Sequence, residues 1–207
     1  MKKYLVAGLM LVSGASSAAL ISSSGDAALT GGSVIDFTGI VDQNTTSLTV
    51  GNATFSTGGG TLRIDAYGVG GSGWLGAGQT LTTRDTSSPS SFTVNFGTAV
   101  SAFGMDWGAA NPNWNVNLYD TSNNLIESVV FVGGNNNGGS FSEFYGASNS
   151  AGIAKATFVT ADNGQDWVII DDFTYVVGSQ SVPEPGSLAL LGLGLAGLGF
   201  AKRRRQA

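Results

Sequence analysis

No cysteine and no histidine occur anywhere in the 207 residues. That removes disulfide stapling, thiolate and imidazole zinc sites, cysteine nucleophiles and the commonest general base at once. Charge is scarce as well, with only 11% of residues Asp, Glu, Lys or Arg. Prolines number four, and two of them, Pro183 and Pro185, sit close to the C-terminus. No internal segment repeats its apolar residues at helical spacing. Such a fold has to rest on its hydrophobic core, and catalysis by carboxylates remains open to it. Glycine, at 32 residues, and hydrophobic residues, at 42%, make up much of the rest.

The two ends differ from the body. Lys2 and Lys3 open the chain, residues 4–12 are apolar, and residues 13–19 are mostly small. This is the layout of a secretory signal peptide spanning 1–19, with Ser16 or Ser17 three residues from a cut after Ala18 or Ala19. At the other end stand Val182-Pro183-Glu184-Pro185-Gly186, an apolar run to Ala201, and Lys202-Arg203-Arg204-Arg205. The prolines stop any strand or helix from continuing into the run. Fourteen helical residues span about 21 Å, short of the roughly 30 Å hydrocarbon core. Gly192, Gly194, Gly197 and Gly199 weaken the segment further. It suits a transient membrane hold better than a permanent anchor.

A Pro-Glu-Pro box, a short hydrophobic helix over 187–201 and a basic end over 202–205 together resemble the PEP-CTERM sorting signal, across 182–207. The resemblance implies export from a Gram-negative bacterium that makes exopolysaccharide. It implies the secretion machinery and the membrane protease exosortase as partners, and a temporary stay in the inner membrane. Pro183, Glu184 and Pro185 would be the cleavage motif, and Lys202, Arg203, Arg204 and Arg205 the membrane stop. Release to the cell surface or the biofilm matrix would follow.

Between the ends, residues 20–181 form the expected ectodomain, long enough for one core. It holds 13 of the acidic residues against three basic ones, Arg63, Arg84 and Lys155, a net charge of −10. Phosphate backbones would be repelled, which excludes nucleic acid as a partner. The period along this body is two. Phe92, Val94 and Phe96 alternate with polar neighbours, as do Phe103, Met105 and Trp107, then Val116 and Leu118, and Leu62 and Ile64. Further β-rich runs cover 33–37, 47–55, 125–132, 153–159 and 167–177, with Gly, Asn, Ser and Asp between them. About ten short strands at this spacing predict an all-β fold, an antiparallel β-sandwich of jelly-roll type. The runs at 91–107, 115–126 and 153–175 are similar to the β-sandwich ectodomains that often precede PEP-CTERM signals, which are related in style to carbohydrate-binding jelly rolls.

Candidate sites follow from residue type and setting. Gly68–Gly73 and Gly192–Gly197 fit the spacing of a dinucleotide turn, but one lies in a glycine loop of a β protein and the other in the membrane run. The sequons at Asn44 and Asn52 read better as turn and strand. Asp171 and Asp172 are more informative. Counting by twos, Asp171 shares a face with Ile169, Phe173 and Tyr175, and Asp172 with Val168, Ile170 and Thr174. Whichever face is inward carries a carboxylate, and a buried charge demands a partner. Calcium is the cation such donors would take, with Asp36 as a third ligand; no other cofactor is implied. The alternative is a strand bulge that frees the carboxylates. Trp107 and Trp167 read as interior, whereas Trp74 and Trp114 lie in loop-like contexts and are the candidate glycan contacts.

Three functions remain open. The first is a non-catalytic surface or matrix protein associated with exopolysaccharide. The second is a glycan-active enzyme drawing on Asp106, Glu127, Glu143, Asp171 or Asp172. The third, ice binding, needs a flat threonine array, and the threonines here are scattered.

Overall fold

The computed structural model describes residues 17–65, 78–134 and 142–178. The expected signal peptide, apart from its last residues, and the whole C-terminal signal with its membrane segment lie outside them. Among the described residues no helix is long and apolar enough to cross a membrane. Within the described residues one 3-10 turn, Ala27–Leu29, interrupts an otherwise all-β fold.

The described residues form twelve strands, all paired antiparallel: β1 Ala19–Ile21, β2 Ser33–Ile35, β3 Gln43–Thr45, β4 Ser47–Val50, β5 Ala53–Thr57, β6 Thr61–Asp65, β7 Thr80–Arg84, β8 Ser91–Gly108, β9 Trp114–Tyr119, β10 Leu125–Phe131, β11 Ser142–Thr160 and β12 Ile169–Val177. The organising feature is the pair of long strands, β8 with 18 residues and β11 with 19. They run side by side, but their register breaks between Ser148 and Lys155. Each bends there and serves two layers, as corner strands of sandwiches do. In one layer β4, β5, the 91–96 half of β8, the 155–160 half of β11, β9 and β10 follow in order. In the other, β1, the 142–148 half of β11, the 100–108 half of β8 and β12 are followed by β7, β6 and β3, with β2 beside the far end of β12.

The core between the layers is aromatic. Phe92, Phe96, Phe103, Trp107, Phe158 and Phe173 are all at most 7% exposed. Phe92 stacks on Phe158 with centroids 4.2 Å apart, and Trp107 meets Phe131 edge to face at 5.4 Å. Each buried ring contributes about 1.5–3 kcal/mol, and a well-oriented pair about 0.5–1.5 more. A chain without disulfides has its stability here. The period-two reading thus gives the right class, an antiparallel β-sandwich, but three boundaries move. The 47–55 run is a hairpin turned at Gly51, whose φ of 56° suits glycine. The two alternations at 91–96 and 103–107 are one strand, and the 153–159 run begins eleven residues earlier, at Ser142.

A second, smaller apolar cluster lies on the outer face of the layer containing β12. Ile21 and Leu29 pack there against Ala102, Phe144 and Val176. The N-terminal segment therefore crosses the sheet as a strap. Asp26 starts its 3-10 turn by accepting from the Ala28 amide at 2.8 Å.

Candidate functional site

The two adjacent carboxylates of β12 are accommodated by a bulge. Val168 and Ile170 face the main core, and so do Phe173 and Tyr175. Strict alternation cannot satisfy both pairs, and the register against β8 shifts between Asp171 and Thr174. Asp172 absorbs the extra residue at φ 45°. Neither carboxylate enters the aromatic core. Asp171 nevertheless stays 6% exposed, directly across from Asp106 of β8. Its Oδ1 accepts from the Asp172 amide at 2.9 Å. Burial above all pushes its pKa up to about 7, against the pull of that amide, and repulsion from Asp172, Asp106 and Asp36 adds to the rise. Burial, with Asp172 behind it, also holds Asp106 above the ordinary carboxylate range.

Beside this pair the strap and the sheet enclose a cleft of about 400 Å³. Asp106, Phe144, Asp172 and Thr174 come from the sheet, and Ser24 and Gly32 from the strap. Gly32 is required there, since a Cβ would lie 2.9 Å from Thr174 and 3.0 Å from the Leu29 carbonyl. The cleft offers carboxylate acceptors, hydroxyls and one aromatic ring.

The expected calcium set is not assembled. Among the described residues no three or more acidic side chains are grouped to hold a metal ion. Asp36 caps the Thr38 amide at 3.1 Å, and Asp171 accepts the Asp172 amide at 2.9 Å. Of the carboxylates considered for catalysis, Asp106, Asp171 and Asp172 come together. Glu127 instead accepts from the Ala18 amide at 2.5 Å, and Glu143 stands exposed.

The tryptophans also need correcting. Trp114, expected at the surface, is 1% exposed. It opens β9, and the alternation Trp114, Val116, Leu118 points inward. Its Nε1 donates to Asp166 at 3.2 Å and its ring meets Trp107 edge to face at 5.7 Å, so no sugar reaches it. Trp167, expected inside, is half-buried, with the Arg84 guanidinium 5.5 Å from its ring centroid. It precedes β12 and never enters the core alternation. Trp74 lies outside the described residues. Two residues that hold this end of the sandwich gave no sequence signal, Asp85 and Asp166. Asp85 gathers hydrogen bonds from Ser87 and Ser91 that keep its carboxyl below the ordinary range despite burial. Asp166 takes the Asn111 amide, the Asn111 side chain and Trp114 Nε1.

The C-terminal residues decide the cellular context. A family model, the PEP-CTERM protein-sorting motif, matches residues 181–205. The chain carries a PEP-CTERM sorting signal. The match takes in Pro183, Glu184 and Pro185 as well as Lys202, Arg203, Arg204 and Arg205, the residues expected for cleavage and membrane stop. Such a signal implies export and processing at the membrane by exosortase. No curated protein matches the chain. Among solved structures, a family 29 carbohydrate-binding module is 12% identical, with a TM-score of 0.44 over 83% of this chain and 98% of that one. A mutant of such a module complexed with mannohexaose is 9% identical, with a TM-score of 0.45 over 67% of this chain and 94% of that one. An arabinose-bound α-L-arabinofuranosidase is 15% identical, with a TM-score of 0.41 over 75% of this chain and 28% of that one. These likenesses are loose, and no ligand is carried over from them.

Proposed function

We propose that this protein is a non-catalytic surface or matrix protein, released by exosortase outside a Gram-negative cell and associated there with exopolysaccharide. The observation that carries the reading is the sorting signal at 181–205. The body suits the task. It is acidic, carries no thiol to oxidise outside the cell, and presents a cleft whose donors match sugar hydroxyls. Intact-mass analysis of the protein in the native host's medium is the direct test. The expected species lacks the signal peptide and everything beyond the Pro183-Glu184-Pro185 box, and a strain without exosortase retains the full tail. Extracellular protein still bearing Lys202–Arg205 overturns the sorting half of the proposal. Cosedimentation with the host's own exopolysaccharide tests the other half, and a protein left wholly in the supernatant overturns it.

Glycan hydrolysis has one observation in its favour, a carboxyl at Asp171 that holds its proton near neutrality beside Asp106. A general acid must reach its leaving group, however, and Asp171 is 6% exposed. No release of reducing sugar from the host polysaccharide is expected.

A further inference from the structure

The end of the sandwich where β7 meets the segment before β12 holds a second cavity, of about 320 Å³, lined by Arg84, Asp85, Thr86 and Trp167. We propose that Arg84 and Trp167 form a platform that binds a pyranose ring of a neutral polysaccharide. This rests on the reading of the protein as exopolysaccharide-associated, and it names the residues and the ligand class.

Three observations support it. The first is the indole itself. Trp107 and Trp114 are sealed in the core, whereas Trp167 is half-buried and lines a cavity. An indole face is the surface on which the C–H face of a sugar ring packs while the hydroxyls turn outward.

The second is rigidity. The backbone is pinned on both sides of Trp167. The Asp166 amide donates to Ser90 Oγ at 2.9 Å, and its carboxylate is held by Asn111 and Trp114. On the far side, the Val168 amide donates to Thr83 Oγ1 at 3.2 Å, and the Thr83 amide donates to the Val168 carbonyl at 2.9 Å. Thr83 immediately precedes Arg84, so the same bonds fix the two platform residues relative to each other. A preformed surface loses little entropy when a ligand settles on it.

The third is charge. Arg84 supplies donors for hydroxyl oxygens. Asp85 beside it stays ionised under the hydrogen bonds from Ser87 and Ser91, so the cavity is close to neutral overall. Around it lies a body of net charge −10. A polyuronate would be repelled at long range and would meet Asp85 at short range. A neutral hexose polymer meets neither obstacle.

The test uses the purified full-length chain in a detergent without a sugar headgroup. Neutral hexasaccharides of glucose, mannose and galactose, and a uronate hexasaccharide, are titrated by calorimetry and by tryptophan fluorescence. At least one neutral probe is expected to bind, and the uronate probe is not. Trp167→Ala should weaken binding about tenfold or more, a loss equal to one stacking contact of about 1.4 kcal/mol. Arg84→Gln, at an exposed side chain whose guanidinium stands over the indole, should weaken it by a smaller factor while the protein still melts cooperatively, which keeps the test informative if Trp167→Ala folds poorly. Binding of the uronate alone, binding of no neutral probe, or full affinity in both variants overturns the platform. The wider reading fails separately, through wild-type protein that does not sediment with host exopolysaccharide. Wild type and Trp167→Ala sedimenting equally would refute the platform and leave the association intact.

Discussion

A carboxyl that holds its proton to about pH 7 sets how this fold responds to acid. Asp171 has a folded pKa well above the ordinary carboxylate value of 3.8, so the native state binds a proton that the unfolded chain releases. Its stabilising contribution is complete below about pH 4 and is lost as pH rises through about 7. Melting temperature should therefore fall between pH 5 and pH 8. Asp171→Asn should flatten that slope and raise stability at pH 8 by about 1–2 kcal/mol, or several degrees. Asp106, shifted in the same direction, leaves a residual slope. Identical slopes in both proteins would refute the assignment. Calcium should do nothing comparable, because among the described residues no three acidic side chains are arranged to hold an ion together. Melting curves with millimolar calcium and with chelator should superimpose. At Asp166 the expected change is larger. Asp166→Ala strips Trp114 Nε1 and the Asn111 amide of their acceptor and should cost about 2–3 kcal/mol by urea denaturation. The sequence marked Asp171 as a carboxylate in need of a partner, but not its neighbour Asp106 or the role of Asp166. Trp114 looked like a loop residue because Asn111, Pro112 and Asn113 precede it, although Val116 and Leu118 already marked its face as inward. The hydrogen bonds of Asp166 span more than fifty positions, a distance that no local pattern encodes.

Elements are where alternation misleads, because period two is only as good as its phase. Two interleaved apolar sets along β12 and the residue before it, Val168 with Ile170 and Phe173 with Tyr175, share one face only if a residue is inserted between them. The sequence shows both sets and hence the conflict, and a bulge is one of its few resolutions. It does not show that Asp172 is the residue at positive φ. Asp172→Gly should relieve that strain and stabilise the fold by about 0.5–1 kcal/mol, visible as a higher urea midpoint at unchanged slope. A lower midpoint would mean that the aspartate contributes something the backbone geometry does not reveal. Glycines give the opposite lesson in the long strands. Gly146 lies mid-strand, where only glycine fits, because a Cβ would stand 2.1 Å from the Phe103 carbonyl. Gly146→Ala should cost more than any surface change in β11, measured as loss of soluble protein.

At the scale of the molecule, composition and periodicity were enough to place the chain among antiparallel β-sandwiches, and the C-terminal residues announced its sorting signal. The order of strands was not readable, because β8 meets partners from β5 to β12 and each pairing joins distant positions. The division into layers depends on a bend in two strands whose continuity the sequence disguised. That arrangement also decides how the protein behaves under load. The sorting signal lies just beyond β12, so tension on the C-terminal end enters the sandwich along that strand. β12 is an interior strand, bonded to β8 on one side and to β2 and β7 on the other. Antiparallel hydrogen bonds lie across the strand axis, and a pull along the axis loads them together rather than one after another. An edge strand would peel like a zipper. This one must be sheared out whole, so a sheath or film built from the protein would resist flow at the point where the chain is gripped.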